Sequence, residues 1–151
     1  MKILSTEQTK EITKQLKNQF GIEKIPGLLV QRGERRISLF QGSLDKTEIQ
    51  EIDKLVPVEG AGIYFGSFEK QGIRLSIEGT QLLKNQIKKN IFELNSKQLE
   101  KWMLGEDLQI KTGSKEFLVM KYEDNLLGCG KASSEKIGNF IPKSRRLKYK
   151  E

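Results

Sequence analysis

The sequence predicts an α+β fold in which a helix-containing N-terminal domain is followed by a C-terminal β barrel. Two helical stretches and a strand hairpin alternate over residues 5–55. The pattern then changes to strands, and beyond residue 107 short strands with Gly, Asp and Asn in their turns favour a compact barrel over an α/β sheet. The 151 residues suffice for two small domains, which we place at 1–70 and 71–151.

The first helix is predicted to begin after Ser5 and to end at Gly21. Ser5 is a good cap, and Gln8 stands three residues on, which is the spacing of a capping box. One face of the helix is apolar at every fourth residue, at Ile12, Leu16 and Phe20. We therefore expect this face to join the core.

Two strand hairpins are predicted, one on each side of the second helix. The first joins strands at 27–31 and 35–41 through a turn at 32–34. The second joins strands at 61–68 and 72–77 through the polar residues between them. The domain boundary is placed within this second hairpin region.

The second helix is predicted from Asp45, its cap, to Leu55. Ile49 and Ile52 form its inward stripe, and Pro57 stops it. Beyond the second hairpin the elements are short. They are helices at 79–85 and 96–103, the latter capped by Ser96, and strands at 91–94, 107–111, 117–122, 126–132 and 137–141.

The residue composition excludes several kinds of catalytic and metal site. With no histidine and one cysteine, the chain lacks disulfides, cysteine–histidine zinc sites, Ser-His-Asp triads and Cys-His dyads. Cys129 lies between two glycines in an apolar stretch, which predicts a buried small hydrophobe. The acid pairs at 106–107 and 123–124 are typical of turns. We expect no enzyme activity, no metal and no cofactor.

Two glycine-rich stretches fail as nucleotide-binding motifs. The run at 128–131 has Asn125 where a phosphate loop needs glycine and Ala132 where it needs Ser or Thr. The glycines at 60, 62 and 66 miss the dinucleotide-binding spacing and open a strand. A bend or a close backbone approach explains Gly128 and Gly130 better.

Positive charge is concentrated in the second half of the chain. The net charge is +7, and residues 71–151 contribute +6 of it. The tail at 142–150 carries five positive charges and no acid. Arginine holds phosphate through two hydrogen bonds and Tyr149 can stack on a base, so the tail favours RNA binding. A frayed, solvated terminus is the alternative.

Four sequence blocks in the second half, taken in order, resemble a PUA domain. They lie at 72–82, 102–108, 127–131 and 139–146, and the last contains the Pro142-Lys143-Ser144-Arg145-Arg146 segment. More narrowly, the chain resembles stand-alone archaeal proteins related to the RNA-binding C-terminal domain of Nop2/Sun-type rRNA cytosine-5 methyltransferases. The similarity covers residues 60–151, while residues 1–59 match only in length and element order.

The resemblance implies a PUA-type β pseudo-barrel behind an α/β pre-PUA-like domain. It also implies that RNA is held by the short helix after the first barrel strand, by a neighbouring strand and by the last strand. Glycine at a helix start permits close approach of a phosphate to free N–H groups. Carried onto this chain, the implied RNA-binding residues are Arg74, Glu78, Gly79, Thr80, Lys131, Lys143, Arg145 and Arg146. For Glu78 two roles stay open: orienting Arg74, or accepting from a base or a ribose hydroxyl.

These observations lead to a hypothesis of non-catalytic RNA binding during ribosome biogenesis or RNA modification. rRNA or its precursor is the expected partner, and tRNA is an alternative. A protein–protein adaptor in a ribosome-assembly or RNA-modification complex, and a subunit that borrows catalysis from a partner, are the other hypotheses. No apolar run reaches the roughly 18 residues that a membrane span needs, and the N-terminus is unlike a secretory signal. We therefore expect a cytoplasmic location.

Overall fold

The computed structural model describes residues 2–42, 45–55 and 62–148, and contains two sheets. A five-stranded antiparallel sheet has the order β1-β2-β3-β4-β5, and a four-stranded sheet has the order β6-β7-β8-β9. The elements are β1 (Lys2–Ile3), α1 (Thr6–Phe20), β2 (Leu28–Arg32), β3 (Arg36–Phe40), α2 (Lys46–Leu55), β4 (Ile63–Glu69), β5 (Gly72–Leu75), α3 (Ile77–Leu82), β6 (Ile91–Glu93), α4 (Ser96–Met103), β7 (Phe117–Tyr122), β8 (Asn125–Ala132), β9 (Ile137–Gly138) and a 3-10 turn (Lys143–Arg145). The α+β class is confirmed.

Helix α1 forms where the local signals place it. The Gln8 N–H donates to Ser5 Oγ at 3.1 Å, and the Ser5 N–H donates to Gln8 Oε1 at 2.9 Å, which completes the capping box. Gly21 ends the helix in the left-handed conformation, with φ of 81°. The apolar face is buried at Ile12, Leu16 and Phe20, as expected.

The first hairpin and α2 are also confirmed. Arg32 still pairs with Arg36, so the turn lies at residues 33–35, one residue later than expected. At α2, the Glu48 N–H donates to the Asp45 carboxylate at 2.9 Å, and Ile49 is buried. The predicted inward position of Ile52 and the stop at Pro57 lie outside the described side chains and residues.

One cluster of buried apolar side chains extends across both sheets. Phe65 and Leu75 of the first sheet belong to the same buried cluster as Phe117 and Val119 of the second. The predicted boundary at 70/71 falls in the turn of the β4–β5 hairpin, where Glu69 pairs with Gly72. The division into two domains stays a prediction, and β5 belongs to the sheet of the first half.

Two predicted helix starts are wrong by a short shift. Helix α3 begins at Ile77, because the Ser76 hydroxyl accepts from the Gly79 N–H at 2.9 Å and so caps the chain earlier. Helix α4 is capped by Asn95, and Ser96 is its first residue. Asn95 forms a capping box with Gln98, with both hydrogen bonds at 2.9 Å.

The strand predicted at 107–111 does not form, and β9 is shorter than expected. A single bridge joins Leu108 to Ile137. Beyond it, Asp107 accepts from the Asn139 N–H at 2.8 Å, and the Asn139 amide donates to the carbonyls of Trp102 at 2.8 Å and Glu106 at 3.0 Å. Side-chain bonds thus satisfy the Asn139 N–H and the nearby carbonyls, which need no strand partner. The residues around the single bridge therefore do not continue the sheet.

None of the helices in the described ranges is long and apolar enough to cross a membrane. The longest, α1, has 15 residues and is polar on its outer face. A span of about 20 residues would be needed.

Candidate nucleic-acid interface

A small pocket lies where β5, the start of α3, β8 and the C-terminal segment meet. Its buried members include Leu75, Cys129 and Ile141. Its interior is about 40 Å³, room for about one or two water molecules. The more exposed side chains around it are Tyr64, Arg74, Glu78, Phe140, Pro142 and Arg145.

Arg145 lies against the start of α3, as the resemblance implies. Its guanidinium bonds the carboxylate of Glu78, which stands in the first turn of α3. The 3-10 turn holds Arg145 there, because the backbone N–H of Arg145 donates to the Pro142 carbonyl at 2.8 Å. Arg74, Glu78 and Arg145 therefore meet at one pocket.

Arg74 is held in place by a carboxylate that lies outside the predicted site, that of Glu69. Arg74 Nε lies 3.3 Å from Glu69 Oε1, and Arg35 bonds the other oxygen of the same carboxylate. Ser67 also donates to Glu69 Oε1 at 2.9 Å. Of the two roles considered for Glu78, orienting Arg74 is therefore taken by Glu69, while Glu78 pairs with Arg145.

Glu69 is charged at neutral pH. Partial burial opposes ionisation, but hydrogen bonds from Ser67 and Arg35 and the charges of Arg74 and Arg35 together hold the pKa of Glu69 below its ordinary value. Two arginines on one carboxylate form a fixed cluster with a net positive charge. This cluster lies at the rim of the pocket through Arg74.

Lys131 lies outside the pocket lining. It contacts the ring of Phe117, which lies next to the ring of Phe140 at the pocket. Its ammonium bonds the carbonyl of Lys115 and lies 5.6 Å from the centre of the Phe117 ring. The Phe117 and Phe140 ring centres are 6.3 Å apart, and the Arg74 guanidinium lies 4.4 Å from the Phe140 ring centre. Two cations thus bracket two rings.

Arg146 has a structural contact and does not line the pocket. Its Nε donates to the Ile141 carbonyl at 2.8 Å, and its side chain covers Gly105, where an added Cβ would lie 2.5 Å from Arg146 Cδ. The Leu147 N–H then donates to the Met103 carbonyl at 2.7 Å. The tail is tied to α4 through residue 147, so the frayed alternative fails for that part of it. Residues 149–151 lie outside the described ranges.

Gly79 and Thr80 are buried within the fold. A Cβ at Gly79 would lie 2.2 Å from the Phe65 carbonyl oxygen, so the helix start approaches β4 closely. Thr80 is 0% exposed, and its hydroxyl donates to the Ile77 carbonyl and accepts from the Gly128 N–H. Direct RNA contact by either residue stays a prediction, and this burial argues against it. Lys143 is exposed at the start of the 3-10 turn.

The structure adds Glu69, Tyr64 and Phe140 to the site. A signal for Glu69 exists in the sequence: the β4–β5 hairpin places Ser67 opposite Arg74, and Glu69 is then a diagonal neighbour of Arg74. The sequence places Phe140 in a predicted strand and in the last of the four blocks, but does not assign it to the site. An aromatic residue just before Pro142 and the basic tail was the available signal.

Two of the candidate reactive groups, Cys129 and Asp107, have structural roles. Cys129 is buried, as predicted, and this burial raises the pKa of its thiol to about 12. The hydrogen bond from Lys136 at 2.8 Å, and the Asn139 N–H, lower the pKa of Asp107 against the opposing effect of burial. In the described ranges, no three His, Cys, Asp or Glu side chains are grouped so as to hold a metal.

A family model matches the second half of the molecule, and two curated relatives match most of the chain. Residues 89–147 match the model of the RsmF methyltransferase PUA domain. The chain is 30% identical over 146 residues to ribosomal RNA small subunit methyltransferase F of Vibrio campbellii, and 29% identical over 146 residues to that of Vibrio parahaemolyticus. Each alignment covers 92% of this chain and 29% of the relative, so the chain spans under a third of these relatives' length.

The matched range contains Lys131, Phe140 and Arg145, whereas Arg74 and Glu78 precede it. The longer alignments with the two methyltransferases reach most of the chain. The mixed α+β architecture is compatible with a PUA-type fold, and the glycine and proline-arginine blocks lie where the pocket forms. The chain therefore carries a PUA domain that resembles the C-terminal domains of Nop2/Sun-type rRNA methyltransferases.

Proposed function

We propose that this chain binds RNA through the pocket surface of its PUA domain and performs no catalysis itself. The matched family model is the PUA domain of a methyltransferase, and the relatives are named as ribosomal RNA small subunit methyltransferases. We therefore take rRNA or its precursor as the RNA, during ribosome biogenesis or RNA modification. The observation that carries the proposal is the meeting of Arg74 and Arg145 at one pocket.

The two arginines suit phosphate recognition in different ways. Arg74 is fixed by Glu69, so little side-chain freedom is lost when a phosphate approaches it. Arg145 is about half exposed and has one carboxylate partner, Glu78, that a phosphate can replace. Contacts of this kind give affinity that is largely independent of sequence and falls with salt.

The proposal is tested by titrating a fluorescent rRNA hairpin with the full chain at two salt concentrations. Arg145→Ala should weaken binding and reduce the slope of log affinity against log salt by about one. Lys111→Ala is the matched control, because Lys111 is also an exposed cation paired with a glutamate, Glu135, at 3.6 Å. Equal losses in both variants, or no binding by the unaltered chain, would contradict the proposal.

The absence of catalysis has a separate test. The chain is incubated with rRNA and a labelled methyl donor, and incorporation is measured. We expect none, because Cys129 is buried with a pKa of about 12 and the catalytic part of the relatives lies outside the matched PUA domain. Methyl transfer that is lost in a Cys129→Ala variant would overturn this part of the proposal.

A further inference from the structure

Phe140 is an exposed aromatic ring at the edge of the pocket. It is 39% exposed, while Trp102 and Phe117 of the same half are buried. An exposed phenyl ring forgoes part of the free energy that its full burial would give. A surface that recognised phosphate alone would need cations and N–H groups, and a phenyl ring supplies neither.

The backbone around Phe140 is held firmly. The preceding residue, Asn139, has its N–H bonded to Asp107 at 2.8 Å, and its side chain accepts from the Ile141 N–H at 2.8 Å. The following residue, Ile141, is buried in the core. The ring therefore stands on a fixed support on both sides, so a ligand that binds it costs little ordering entropy.

One neighbour of the ring is itself a flat, fixed group. The Arg74 guanidinium lies 4.4 Å from the Phe140 ring centre, and Glu69 holds Arg74 from the other direction. A second pair repeats this arrangement nearby, with Arg36 lying 4.3 Å from the ring centre of Tyr64, another residue of the pocket. Arginine planes and aromatic rings are the two groups on which proteins stack nucleobases.

We propose that Phe140 and Arg74 stack an unpaired nucleobase of the bound RNA. The inference rests on the proposed function and narrows its ligand to RNA with a single-stranded loop, bulge or end. The pocket is about 40 Å³, too small for a base, so the base lies across the rim. The phosphate of that nucleotide then lies near the positive charge of Arg145, which lines the same pocket. A continuous A-form duplex presents no base face to this ring.

The test compares three RNAs of equal charge with the full chain: a hairpin with an unpaired loop, the same hairpin with abasic loop positions, and a blunt duplex. Phe140→Ala should weaken binding of the looped hairpin by about 5- to 150-fold, the range for one stacked base. It should leave the duplex and the abasic hairpin nearly unchanged. The salt dependence should also stay unchanged, because the substitution removes no charge.

Two further variants separate stacking from loss of structure. Phe140→Trp keeps a stacking ring and should retain loop binding, while Leu82→Ala removes an exposed apolar side chain elsewhere and should have no effect. In the Phe140→Ala and Leu82→Ala variants, the fluorescence of Trp102, the chain's one tryptophan, reports whether the fold is intact. Equal loss on loop and duplex RNA, or full binding by Phe140→Ala, overturns the stacking proposal while RNA binding stands. Failure of the unaltered chain to bind any of the three RNAs overturns the proposed function instead.

Discussion

Replacing Glu78 by glutamine should raise the affinity for RNA. The Glu78 carboxylate holds the Arg145 guanidinium, and both side chains are partly exposed, at 37% and 47%. A phosphate that binds Arg145 must displace this carboxylate or accept its negative charge as a neighbour. Glutamine keeps the shape of the side chain and removes both penalties.

The size of the gain follows from two terms. An exposed ion pair is worth about 0.2–1 kcal/mol, so freeing Arg145 returns at most that amount. A carboxylate and a phosphate about 5 Å apart repel by about 1 kcal/mol in water. Together these give about 1–2 kcal/mol, or about a 5- to 30-fold higher affinity at low salt. Screening at molar salt, where the Debye length is about 3 Å, should remove most of the gain.

The assay is fluorescence anisotropy with the looped rRNA hairpin at low and high salt. Glu135→Gln is the matched control, because Glu135 also pairs with an exposed cation but lies away from the pocket lining. A gain in both variants would mean that net charge alone decides affinity. A lower affinity for Glu78→Gln would refute the reasoning, since it would mean that Glu78 accepts a hydrogen bond from the RNA.

Two other predictions concern stability. In thermal melts, Gly79→Ala should lower the free energy of unfolding by about 1–3 kcal/mol, because the new Cβ would lie 2.2 Å from the Phe65 carbonyl oxygen. Gly138→Ala is the control and should be nearly neutral, because its Cβ would meet nothing closer than 3.7 Å. The pKa of Asp107 is lowered in the folded state, so its contribution is present at neutral pH and is lost as pH falls through the folded pKa. Urea titrations at pH 7 and pH 3 should therefore show a smaller acid loss for Asp107→Asn than for the unaltered chain, and an equal loss would contradict the assignment.

Local signals predicted the first third of the fold well. Helix α1 has a capping box, an apolar face and a terminal glycine within 17 residues, from Ser5 to Gly21. The structure follows each of them because none depends on a distant residue. Helix α3 shows the limit of this approach: Gly79 suggested a helix start, but the Ser76 hydroxyl caps it earlier.

Contacts between distant residues account for what the sequence could not predict. The strand expected at 107–111 is lost to the bonds between Asp107 and Asn139, which are 32 residues apart. Arg74, Glu78 and Arg145 were predicted together because a known family pattern joins them. The hold of Glu69 on Arg74 and the place of Phe140 depend on strand register and on the path of the tail, which composition and periodicity do not encode.

The β4–β5 hairpin decides where the protein can be cut into fragments without disturbing the pocket surface. Arg74 faces the pocket, yet its partner Glu69 comes from β4, and Arg35, which bonds the same carboxylate, comes from the turn before β3. A fragment that starts at residue 71 would keep the guanidinium and discard its anchor, together with Phe65 of the shared core. Such a fragment would present Arg74 on a less ordered surface, so binding experiments should retain the chain from Arg35 onward.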